Sequence, residues 1–84
     1  MKRAIDSYGN EHEVYEVYAC LQGWEWFVVE KPNGDDLRYG FVQSPLCPDG
    51  EFGSFSLSEI RKSVKLSGGK CFNGCLPPQG WRWL

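Results

Sequence analysis

Trp24-Glu25-Trp26-Phe27-Val28-Val29-Glu30 is a run of strand formers, Lys31-Pro32-Asn33-Gly34-Asp35-Asp36 is turn chemistry, and Leu37-Arg38-Tyr39-Gly40-Phe41-Val42-Gln43 returns as a second extended run. β-Branched and aromatic residues suit a pleated surface, proline presets φ, and Asn-Gly tolerates positive φ, so the three pieces predict an antiparallel hairpin with its tip near Asn33-Gly34. Alternation puts Trp24, Trp26 and Val28 on one face of the first strand and Phe27 and Val29 on the other. In the second strand it separates Tyr39 and Phe41 from Arg38 and Val42. Both faces of this ribbon are therefore apolar. Either Trp81, Trp83 and the N-terminal residues fold over the second face, or an aromatic patch with acidic edges stays open to a partner.

On the N-terminal side, residues 13–21 fit two periods. As a helix, Asn10 would cap it, Val14, Val17, Tyr18 and Leu21 would form its stripe, and Gly23 would end it. As a strand, the same residues would turn at Gln22-Gly23 into the hairpin, a reading favoured by the extended run that follows. On the C-terminal side, 44–50 reads as a loop with two prolines and 51–55 as a short strand. Ser56-Leu57-Ser58-Glu59 is a capping box opening a helix to about Lys65, with Leu57, Ile60 and Val64 facing inward. The expected fold is α+β, an antiparallel meander of about four strands with one short helix. It forms a single domain over 1–84, with a candidate leader at 1–12 and an irregular segment at 70–84.

Length and composition narrow the function. Eighty-four residues leave room for one core, and thirteen aromatic residues must supply much of its burial. No apolar run approaches the length that spans a bilayer, and Met1-Lys2-Arg3 leads into no signal-like stretch, so the expected compartment is the cytosol. Residues 1–42 carry a net charge of −4 and residues 43–84 a net charge of +2. An acidic first half argues against a general grip on nucleic acid, which needs a field of Lys and Arg.

The blocks Gly23 to Glu30, Tyr39 to Val42 and Glu51 to Ile60 resemble a family of small uncharacterised proteins found in bacterial plasmids, phages and other mobile elements. Its pattern runs Trp-Tyr-x-x-Glu, then Phe-Gly, then Glu-x-Gly-x-x-Ser-x-x-Glu-Leu. The likeness covers roughly Val14 to Ser63; it implies an antiparallel sheet with one helix and a mobile-element origin, and it brings no catalytic residues.

Reactive side chains are sparse. Cys47, Cys71 and Cys75, with Cys20 or His12 as a fourth ligand, could hold structural zinc, but only one loose cysteine pair exists and small buried or free thiols are the simpler reading. His12, between Glu11 and Glu13, is expected at a solvated edge. No cofactor, metal or catalytic group is expected, and the chain reads as a non-enzyme. The favoured function is a small phage or plasmid protein that binds a host protein or complex, in concrete form an anti-CRISPR-like inhibitor. Glu25, Glu30, Asp35, Asp36 and Glu51 would supply phosphate-like charge, with Trp24 and Trp26 as anchors. The alternatives are a nucleic-acid binder using Arg61, Lys62, Lys65, Lys70 and Arg82 with exposed aromatics, and a zinc-stabilised module.

Overall fold

A computed structural model describes residues 2–70 and 76–84; Cys71 and Cys75 lie outside the described residues, as does the side chain of Lys70. The elements in chain order are β1 (Lys2–Ile5), β2 (Glu11–Val14), β3 (Glu16–Ala19), β4 (Glu25–Val28), β5 (Leu37–Ser44), β6 (Cys47–Ser56), α1 (Leu57–Ser63), β7 (Ser67–Lys70) and β8 (Arg82–Trp83). They build two antiparallel sheets, a small one ordered β2-β1-β8 and a large one ordered β6-β5-β4-β3-β7. The expected α+β meander of about four strands is thus corrected: the described chain is mostly β, with eight strands and one short helix. The reason is strand length. A four-residue strand offers two inward positions, too few for a period to show. In β1 and β2 only Ala4 and Val14 are fully buried, and β7 reads Ser-Gly-Gly-Lys, a sequence without strand propensity.

Residues 13–21 are extended, as the strand reading holds, but they serve both sheets. The run is interrupted at Tyr15, whose N–H donates to the Val28 carbonyl at 2.8 Å, and there the chain passes from the small sheet to the large one. The hairpin of β4 and β5 forms as expected, in a register that sets Trp26 opposite Val42, Phe27 opposite Phe41 and Val28 opposite Gly40. Glycine at 40 is required sterically, because a Cβ there would lie 2.0 Å from the Phe27 carbonyl oxygen. Residues 47–50, read as loop, belong to β6. Its pairing with β5 shifts register between Val42 and Ser44, and Gly50 takes a φ of 71°. An irregularity of this kind accommodates Pro48 on an edge strand and hides the strand from a pattern search.

The large sheet is covered on both faces. On one, Phe27 and Phe41 with the flanking Val17 pack against Ala4, Val14, Trp81 and Trp83 of the small sheet and its approach. On the other, Tyr18, Trp26 and Val28 pack under Leu57 of α1, joined by Val42, Ile60 and Val64. Phe27 and Val28, adjacent in sequence and opposite in direction, are both 0% exposed. Of the two fates foreseen for the ribbon, Trp81, Trp83 and the N-terminal strands do close over the Phe27 face. Of the expected capping box, the Ser56 half forms, with Ser56 Oγ accepting from the Glu59 N–H at 3.4 Å, and α1 ends at Ser63, a little before Lys65.

Candidate functional site

The seven residues expected to contact a partner do not converge. Trp26 is 6% exposed and belongs to the core under α1, so it is no surface anchor. Trp24 is half-buried and stacks on Trp26 with centroids 6.0 Å apart. Glu25 shares the Phe27 face of β4 by alternation and sits opposite Gln43, whereas Glu51 sits opposite Val42 and so lies on the α1 face. Glu30, Asp35 and Asp36 lie at the far end, around the hairpin turn. Asp36 is exposed but engaged: its carboxylate accepts from the hydroxyls of Ser56 and Ser58 and from the Ser58 N–H at 3.0 Å. These bonds, the Ser56 hydroxyl first, hold its pKa below the ordinary carboxylate range. Asp36 therefore fastens the start of α1 to the hairpin. Charge reversal there would disturb the helix and would not report on docking.

What the small sheet leaves bare is a corner of the large one. Leu37, Tyr39 and Phe41 alternate onto one face of β5, and Phe52 stands directly opposite Phe41 on β6. Phe41 is buried, but Leu37, Tyr39 and Phe52 are 58%, 39% and 42% exposed. The Tyr39 and Phe52 rings lie nearly parallel with centroids 6.3 Å apart, and Phe52 meets Phe41 edge-on at 4.9 Å. This aromatic shelf runs into a shallow depression of about 190 Å³ at the hairpin mouth, where Glu30, Lys31, Asp35 and Arg38 stand beside Leu37 and Tyr39. Arg38, which also lines the depression, is engaged within the chain: its Nε donates to Glu16 Oε1 at 2.8 Å and its Nη1 to the Asp35 carbonyl at 2.6 Å. The Glu16 bond pushes the Arg38 pKa up. Two of the expected acidic residues, Glu30 and Asp35, thus border the open apolar surface. The aromatic contribution comes from Tyr39 and Phe52. Carrying the β5 alternation across into β6 would have shown this, had the register through the Gly50 irregularity been known.

His12 departs from its expected solvated edge. Its ring stacks on Trp81 at 4.8 Å and lies 5.4 Å from Phe52, and its Nε2 is 2.8 Å from Asp6 Oδ2. Asp6 Oδ1 accepts from the N–H groups of Tyr8 and Asn10, both at 2.9 Å. The His12 bond above all, helped by these amides, lowers the Asp6 pKa to about 2 against the opposing effect of burial. A carboxylate that orients an imidazole is one half of an acid–base device. Among the described residues no hydroxyl or thiol bonds the imidazole, so the pair has no nucleophile to activate.

A second concavity, of about 420 Å³, lies on the other face between α1 and the turn that joins β3 to β4. Cys20, Trp24 and Trp26 line one side, and Glu59, Ile60 and Val64 the other. Cys20 and Cys47 are half-buried free thiols. Among the described residues no three His, Cys, Asp or Glu side chains gather as a metal site, and Cys71 and Cys75, needed for the zinc reading, lie outside them. Arg61 and Lys62 belong to α1 and Lys65 follows it, on the side of the large sheet opposite Tyr39 and Phe52. Those three cations are thus separated by the sheet from Tyr39 and Phe52, whereas Arg82 stands exposed on β8 of the small sheet, on the same side as those rings. Among the described residues no helix is long and apolar enough to cross a membrane. Searches among protein-family models, curated proteins and solved structures return no match for this chain.

Proposed function

We propose that this protein is a non-enzymatic binding protein of the cytoplasm that engages another protein through the bare corner of its large sheet. The observation that carries the reading is the exposed Tyr39–Phe52 pair beside Glu30 and Asp35. Tyrosine and phenylalanine on a rigid sheet bring contact area at little entropic cost, and carboxylates at the rim steer a basic partner into register. The resemblance to small proteins of phages and plasmids points to a host machine as that partner. A basic nucleic-acid channel, as in a CRISPR effector, would pair with the carboxylates of Glu30 and Asp35.

Affinity capture from host lysate, followed by mass spectrometry, tests this. A protein retained by the wild type should be lost with the double variant Tyr39→Ser, Phe52→Ser and weakened by Asp35→Lys, both variants keeping the wild-type circular dichroism spectrum. A set of captured proteins identical for wild type and both variants would refute the surface.

A further inference from the structure

We propose that the groove between α1 and the β3–β4 turn is a binding site for a small organic ammonium ion carrying an apolar arm. The groove has the volume of a small-molecule site, about 420 Å³, within the range typical of ligand pockets. Its walls are mostly apolar: the indoles of Trp24 and Trp26 on the sheet side, Ile60 and Val64 on the helix side, with Cys20 between and Gln22 and Ser63 at the edge. One charged residue lines it, Glu59, which is exposed and forms no ion pair among the described residues.

Two features set the sign of the ligand. Indole faces attract cations through the ring quadrupole, tryptophan more strongly than any other side chain. A carboxylate at the rim of an apolar groove repels anions and pairs more strongly with a cation than with a neutral ligand, which Gln22 and Ser63 could only hydrogen-bond. The helical period places Glu59, Ile60, Ser63 and Val64 along the groove; Arg61 and Lys62 do not line it, and neither forms an ion pair with Glu59. The stacked pair Trp24–Trp26, 6.0 Å apart with 25° between planes, forms a broad apolar wall for the ligand's arm. Trp26 is locked in the core, so that wall is preformed.

Benzyltrimethylammonium is the probe, titrated into the full chain and followed by the indole N–H resonances of Trp24 and Trp26, with benzyl alcohol as neutral control and benzoate as anionic control. The cation should move both indole signals and bind roughly tenfold more tightly than benzyl alcohol, while benzoate should not bind. Glu59→Gln, which removes the charge but keeps a side chain suited to the start of α1, should cut the affinity for the cation about tenfold and leave that for benzyl alcohol unchanged. Equal affinity for the cation and benzyl alcohol would overturn the proposal. So would indifference to Glu59→Gln, unmoved indole signals, or absence of binding at millimolar probe. The groove and the Tyr39–Phe52 corner lie on opposite faces, so the two readings stand or fall separately.

Discussion

Asp6 shows how one carboxylate can organise a loop that the sequence presents as unremarkable. Its two oxygens gather the backbone of Tyr8 and Asn10 and the imidazole of His12, closing the turn between β1 and β2. Its folded pKa, about 2, lies below the ordinary 3.8, so on acidification the unfolded chain takes up the proton first. The Asp6 contribution to stability is fully present above about pH 4 and is lost as the pH falls toward about 2. Thermal melts from pH 5 to pH 2 should show the wild type losing stability over that window, and Asp6→Asn should start lower at pH 5 and fall less steeply. Parallel curves would show that another group governs the acid limb. Nothing in the residue types around Asp6 announced this arrangement, because its partners are two amides and a side chain from the next strand.

Among the elements, those encoded by local chemistry were legible and those that depend on distant partners were not. The hairpin was readable in its tip and in the alternation of each strand because Asn33-Gly34 and two alternating runs encode both. The start of α1 was readable because Ser56 and Glu59 stand three apart. Both strands of the small sheet's N-terminal hairpin, the strand β7 and the first half of β6 were not. They are short, glycine-bearing or irregular, and only pairing makes them strands. The same split divides the site residues. The acidic turn residues were found, but burial of Trp26 and exposure of Phe52 depend on which element lands on which face. Gly40 gives the sharpest test at this scale. A Cβ would press into the Phe27 backbone, so Gly40→Ala should destabilise the fold by about 3 kcal/mol or more, read by denaturant unfolding. A near-neutral result would mean that β4 and β5 are farther apart than described.

The whole molecule is three layers thick at its centre, small sheet on large sheet on helix, with little chain to spare. Phe27 and Val28 anchor the two interfaces from adjacent positions. Phe27→Ala should cost about 3–5 kcal/mol, a large share of the total stability of a domain this size. Phe52→Ala, at a position 42% exposed, should cost within about 1 kcal/mol. Equilibrium unfolding in urea separates the two; comparable losses would mean that Phe52 is a core residue and the bare corner an illusion. The passage of the chain through Tyr15 has its own consequence. A single peptide unit is the seam at which one continuous ribbon changes allegiance between sheets, so the small sheet cannot peel away without tugging β3 from its neighbours. Loss of either layer is then felt by the other, and the protein should come apart in one event, leaving no half-folded remnant.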